Sequence, residues 1–289
     1  MDDMAGSLRI YTDSASDMTP EELKQYQVGL IPMSLVCGAD SFTDDYSVPA
    51  SVLWARQEAG EILITSQPSL QTFLDIFEQA REQKDSVVYI SISCGLSGTY
   101  QTAMAAKTMT AYPEIYIVDG RKAAASVAEK MVVFRACALR DAGKSAAQIA
   151  KELTEYRAKV RLFACIDTLE YLVRGGRLSK LAGAVGSVLN IKPLIHFSAD
   201  GEVEVFKKVP GLKRAMAAMR DMVTAHPIDK RFPIIPIFAK ENANCLEFLT
   251  RMAEQLKDMT VAPPQEIGVT IGCHIGPGGF GLVYTEAET

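Results

Sequence analysis

The sequence predicts an α/β protein in two parts: a larger domain with a mainly parallel sheet flanked by helices, then a smaller α+β domain with a mainly antiparallel sheet. Two observations predict it. Up to about residue 159, short apolar runs of strand type alternate with helical patterns. That alternation implies right-handed crossovers and a parallel sheet. Beyond it, a hairpin signature and mixed strands and helices take over. The expected division is 1–159 and 160–289.

Taken in order, residues 8–11 read as a strand ending in the polar run Thr12-Asp13-Ser14-Ala15-Ser16-Asp17. Thr19-Pro20-Glu21-Glu22 starts a helix. Thr19 caps it, Pro20 suits its first turn and Glu22 completes a capping box. Residues 28–38 form a second extended run, in which Pro32 implies an edge or irregular position. Residues 41–48 read as a surface loop and 49–58 as a short helix carrying Trp54. The run 62–64 leads into Thr65 and Ser66, and 87–92 leads into Ser93 and then Leu96-Ser97-Gly98-Thr99. Helical spacing follows both, with Leu70, Phe73, Leu74 and Phe77 after the first and Ala103, Ala105 and Ala106 after the second. Residues 115–120 give another buried-type strand, 122–142 a long alanine-rich helix stopped near Gly143, and 145–159 a further helix.

In the second part, residues 161–180 hold a strand, a short helix and a glycine break. Residues 192–209 read as a hairpin turning at Ala199-Asp200-Gly201. A helix at 212–225, a strand at 233–238 and a helix at 243–256 follow. Residues 266–285 close the chain as two strands around a glycine-rich corner.

Charge and composition narrow the function. Lys and Arg total 30 against 35 Asp and Glu, a formal charge of −5, which gives no support to a nucleic-acid partner. The opening MDDMAGS is acidic and polar where a secretory signal is basic and then apolar. The longest apolar stretch, at 181–189, is too short to span a bilayer. Six scattered cysteines without a Cys-x-x-Cys pair read as buried thiols in a reducing compartment, so a cytoplasmic location is expected. Three histidines, His196, His226 and His274, have no metal-site spacing. Asp13, Asp17 and Asp119 invite a magnesium-nucleotide reading, but neither a phosphate loop nor Gly-x-Gly-x-x-Gly accompanies them.

Ligands of parallel sheets sit beyond the carboxyl ends of the strands. Four polar clusters fall at predicted strand ends: 12–17, 65–69, 93–99 and 119–120. Thr65 with Ser66, and Ser97 with Gly98, bring hydroxyls and amides to helix starts on what read as neighbouring strands. Such an arrangement cradles a carboxylate or phosphate. The alternative is that Thr65 and Ser97 are plain helix N-caps. His274 precedes Ile275-Gly276-Pro277-Gly278-Gly279, a corner that lets backbone approach a ligand, or a tight β corner with an incidental histidine. Arg174-Gly175-Gly176-Arg177 either clamps an anion or ends a helix. Lys207, Lys208, Lys213 and Arg214 form a basic cluster, read either as a solvated face or as a dock for an acidic partner. An enzyme acting on a small phosphorylated or hydroxylated metabolite at the hydroxyl-lined strand ends stands as the alternative to a binding protein.

Along nearly its whole length the sequence resembles the DegV family of bacterial fatty-acid-binding proteins. The resemblance rests on IYTDSASD (10–17), TSQPS (65–69), SISCGLSGTYQTA (91–103), DTLEYLVRGGRLS (167–179), IKPLI (191–195) followed by DGEV (200–203), and HIGPGGFG (274–281). It implies a large α/β domain and a smaller α+β domain with an acyl chain buried between or within them. It implies that Thr65 and Ser97, with Ser66 and Gly98 beside them, bind the carboxylate of a long-chain fatty acid such as palmitate, with no cofactor and no metal. It implies a separate fatty acid kinase that phosphorylates the bound acid to an acyl phosphate for phospholipid synthesis. The chain is then a binding subunit, with Arg174 and His274 near the carboxylate assisting transfer and the basic segment 207–214 facing the kinase. A peripheral membrane contact for lipid exchange fits the same reading. Cys94 departs from the family's frequent serine, and RKAAASVAE after Asp119 is poorer in glycine and serine than the family leads one to expect.

Overall fold

A computed structural model describes residues 6–178 and 190–288. The apolar stretch 181–189 and Ser179 of the glycine-break motif lie outside the described residues. Up to residue 159 the chain runs β1 (Leu8–Asp13), α1 (Pro20–Tyr26), β2 (Val28–Ile31), β3 (Ser34–Cys37), β4 (Asp40–Thr43), α2 (Ala50–Glu58), β5 (Leu63–Ser66), α3 (Leu70–Gln83), β6 (Ser86–Ser91), α4 (Thr99–Thr110), β7 (Ile115–Asp119), α5 (Val127–Asp141) and α6 (Ala146–Tyr156). From residue 160 it runs β8 (Val160–Cys165), α7 (Glu170–Arg174), β9 (Ile191–Phe197), β10 (Val203–Pro210), α8 (Leu212–Thr224), β11 (Ile235–Phe238), α9 (Ala243–Leu256), β12 (Gln265–Glu266), α10 (Val269–Ile275) and β13 (Phe280–Thr285).

Strands β2-β1-β6-β7 form a parallel sheet. Its β6 is buried from Val87 to Ile90, as a strand covered on both faces must be. Val87 and Tyr89 face Phe73 and Phe77 of α3 and the small residues Ala103 and Ala106 of α4. Val88 and Ile90 face α5. The second sheet, β10-β9-β8-β13-β11-β12, is antiparallel except between β11 and β12. One of its faces packs on α8 and α9. The other shares a core with α5 and the parallel sheet, through Leu162, Ala164, Ile195 and Val283. Helix α5 is buried all round from Val127 to Val133, the pattern of a helix enclosed between layers.

The local signals read as expected. Thr19 and Glu22 form the capping box at α1; Ser145 and Gln148 form a second at α6, one not foreseen. The hairpin β9–β10 is antiparallel, and Pro32 separates β2 from β3.

Four expectations change. Residues 41–48 are not all loop, since the segment opens as part of β4. Strand β5 is not a neighbour of β6; it edges a separate antiparallel sheet, β4-β3-β5. The reason is visible in its burial: Leu63 is buried while Ile64 is half exposed, so only one face is covered. The helix expected at 122–142 starts at Val127, because Ala124 and Ser126 spend their backbone groups on Ser93 N–H and Ala15 O. Residues 266–285 are not two strands around a corner; α10 precedes β13.

The hairpin tip docks on the carboxyl end of the parallel sheet. A Cβ at Gly95 would lie 2.9 Å from Asp200 O, and one at Gly201 would lie 2.0 Å from Ser93 Oγ. Gly95→Val is therefore expected to lower the urea unfolding midpoint, by about 1–3 kcal/mol of stability, from overpacking a closed contact.

Candidate ligand-binding site

A narrow cavity of about 60 Å³ lies where the three sheets meet. Its apolar wall comes from Leu162 and Ala164 of β8, Ile195 and Phe197 of β9, and Ile271 and Ile275 of α10. Its polar end is built from Thr65, Ser66 and Gln67 at the end of β5, Ser97 before α4, Arg177 after α7, and His274 of α10. Ser66 and Gln67 are exposed, whereas Ile92, Ala125, Ile195 and Ile267 are buried. The polar end therefore reaches the surface and the apolar part is interior.

Thr65 Oγ1 and His274 Nε2 are 2.9 Å apart. Thr65 is not a helix cap; Ser69 fills that role at α3. Ser97 keeps a local bond at the entry to α4, accepting the Thr99 N–H at 3.3 Å and pairing with Thr99 Oγ1 at 2.8 Å. Gly98 stands at the cap position of α4, outside the cavity lining, and a Cβ there would meet Gln67 Oε1 at 2.2 Å. That close approach brings the ends of β5 and β6 together although they belong to different sheets.

His274 is buried, and its Nδ1 has no hydrogen-bond partner among the described residues. The reason is Gly175, whose Cβ position lies 2.0 Å from Nδ1. An orphaned buried N–H is rarer than an orphaned acceptor, so the proton is assigned to Nε2. The imidazole then donates to Thr65 and leaves the Thr65 hydroxyl proton free to point elsewhere. Burial, and then the charge of Arg177, push the His274 pKa down to about 4. The ring is neutral at physiological pH.

Arg177 donates from Nε to Leu96 O at 3.2 Å and from Nη1 to Gly175 O at 2.5 Å. It has no carboxylate partner among the described residues, so it supplies the polar end with positive charge. Arg174 does not line this cavity; it is exposed and pairs with Glu170 one turn earlier. Gly176, at φ 72°, turns the chain so that the second arginine of the motif faces inward. Lys207, Lys208, Lys213 and Arg214 are exposed on β10 and the start of α8, away from the lining. Asp13 and Asp17 are buried, and among the described residues no cluster with metal-ligand character occurs. None of the described helices is long and apolar enough to cross a membrane. Sequence reasoning passed over Gln67, Ser126 and Thr270, which also line the cavity. Ser126 donates to Asp17 and Thr270 to Asp44, and only the tertiary fold brings these pairs together.

Fold and site together define an α/β protein whose sheets wall a narrow apolar cavity ending in hydroxyl, imidazole and guanidinium groups. The chain belongs to the DegV family: the family model described as "Uncharacterised protein, DegV family" matches residues 7–287. The chain is 30% identical over 290 residues to the fatty acid-binding protein of Thermotoga maritima, covering 97% of this chain and 99% of that one. A solved fatty-acid-binding DegV family protein from Thermus thermophilus is 26% identical, with a TM-score of 0.83 over 97% of this chain and 100% of that one. The Fatty Acid Kinase (Fak) B3 protein of Streptococcus pneumoniae, loaded with linoleic acid, shares the fold at 23% identity, with a TM-score of 0.82 over 97% and 100% of the two chains.

Because His274 is neutral in the folded chain and ordinary when unfolded, acid costs stability as pH falls from the unfolded value of 6.5 toward about 4. Arg177→Gln removes a charge that disfavours the imidazolium. It is expected to raise the His274 midpoint, read by NMR titration of the imidazole.

Proposed function

We propose that the chain binds a long-chain fatty acid, with the carboxylate held by Thr65 and Ser97 and the acyl chain in the apolar cavity, and presents it to a separate fatty acid kinase. The observation that carries this reading is the cavity itself, narrow and apolar inside, with hydroxyls at its exposed end. Residues 1–159 bring the carboxylate-holding strand ends, and 160–289 complete the acyl pocket and add His274 and Arg177. Ser66 flanks the head group, and Gly98 acts by letting β5 and α4 approach.

The energetics support a lipid. A sixteen-carbon chain buries roughly 14 methylenes at ~0.8 kcal/mol each, about 11 kcal/mol before association costs. Two hydroxyl bonds of about 1 kcal/mol each orient the head group more than they hold the ligand. Arg177 adds the counter-charge, and a neutral His274 keeps the Thr65 hydroxyl proton available. Neither hydroxyl stands beside a base free to activate a nucleophile, so phosphorylation to the acyl phosphate falls to the kinase. The kinase partner rests on the family resemblance, as do the kinase-facing role of the basic segment 207–214, the cytoplasmic location and lipid exchange by peripheral membrane contact. Arg174, outside the cavity, would assist transfer only from the rim.

The protein purified from bacteria is expected to carry fatty acid, identified by mass spectrometry of an organic extract. A chain that is repeatedly empty and takes up no labelled fatty acid would sink the proposal. Thr65→Ala with Ser97→Ala is expected to reduce kinase-dependent acyl phosphate formation more than it reduces lipid binding; equal losses would contradict the orienting role.

A further inference from the structure

Helix α10 is a wall of the cavity through Thr270, Ile271, His274 and Ile275. It begins after Gly268, a cap position without a side chain. The free N–H groups of a first turn need partners, and two carboxylates from distant parts of the chain face them, Asp17 buried and Asp44 half-buried. Asp17, at the end of the polar run after β1, lies against Gly268; a Cβ there would stand 2.5 Å from Asp17 Oδ1. That oxygen has no hydrogen bond of regular geometry, and the Gly268 N–H favours its ionised form. Asp44, after β4, accepts the Thr270 hydroxyl and faces the Thr270 N–H. Holding these acids in the interior is costly: burial raises both, Asp17 to about 7, against the opposing pull of Ser126, Lys130 and Gly268.

His274 sits four residues beyond Thr270, one helical turn or about 6 Å along the axis. Wherever the amino end of α10 is seated, His274 follows. We propose that Asp17 and Asp44 are positioning residues of the ligand site: they seat α10 so that His274 meets Thr65 and the wall closes on the acyl chain. The role in ligand holding rests on the fatty-acid reading; the seating of His274 does not.

The test pairs two readouts on the full-length protein, the NMR titration of His274 and the release rate of bound palmitate. In Asp44→Ala the His274 midpoint moves from about 4 toward its ordinary value, and release quickens about tenfold, the scale of losing a hydrogen bond to a charged group. Asp17→Ala does the same. Asp44→Asn keeps an acceptor for Thr270 and restores most of both readouts. Thr270→Val removes the hydroxyl alone, and it carries the test if the Asp44 variant does not fold. The control is Asp85→Ala. Asp85 is as buried as Asp17 but pairs with Ser7 and Arg9 at the opposite end of the parallel sheet; its loss lowers stability and moves neither readout. The proposal is overturned if the Asp44 and Asp17 variants keep wild-type values, or if Asp85→Ala shifts them as far. A wild-type chain that binds no palmitate sinks the fatty-acid reading and ligand holding with it, while the His274 midpoint still decides the seating.

Discussion

The contact between Thr65 Oγ1 and His274 Nε2 spans 209 residues of sequence and defines the polar end of the cavity. It requires β5 to leave the parallel sheet and stand as the edge of a small antiparallel one, since only there does Thr65 face α10. It also requires a glycine at position 175, because any Cβ would occupy the place of His274 Nδ1. The glycine break after α7 is therefore less a helix stop than a mould for the imidazole. The same break turns Arg177 inward, where its charge helps keep that imidazole neutral.

A neutral imidazole beside a guanidinium with no carboxylate partner among the described residues gives the polar end two unlike groups. Arg177 offers charge with no carboxylate to neutralise it among the described residues. His274 offers no charge, but by donating to Thr65 it fixes which way the hydroxyl proton points. A protonated His274 would also donate to Thr65, at the cost of a buried charge near Arg177 and an N–H at Nδ1 with no acceptor among the described residues. Burial and the neighbouring charge act in the same direction, and both push protonation away.

How much of this was legible in sequence depends on range. The capping box at Thr19 was readable because its partner, Glu22, lies three residues away. The hydroxyls Thr65 and Ser97 were found as polar groups at strand ends, although for a partly mistaken reason: their strands lie in different sheets, joined through Gln67 against Gly98. Val269, Thr270 and Ile271 are β-branched and read as strand, yet they form a helix whose amino end faces Asp17 and Asp44, the latter 226 residues before Thr270 and the former farther still. No local pattern carries that information. The choice between Arg174 and Arg177 was equally hidden, since it turns on the backbone conformation of Gly176.

The polar run after β1 shows why the sheets meet where they do. Asp13 accepts from Tyr89 at 2.8 Å, from Ile92 N–H at 2.9 Å and from Ala15 N–H at 3.1 Å, tying β1 to the end of β6. Ala15 O receives Ser126 N–H, which breaks the helix expected there and sets the start of α5. Ser14 Oγ receives Met33 N–H, drawing in the small sheet, and Asp17 meets Ser126 and Gly268. Acids in this run look like magnesium ligands in the sequence. Each instead has backbone amides or hydroxyls within reach, and burial raises both pKa values, Asp13 to about 6 and Asp17 to about 7. A buried acid paired in this way is weak as a source of stability but strong as a fixed point. Three layers converge on these acids, and the cavity occupies the gap they hold open.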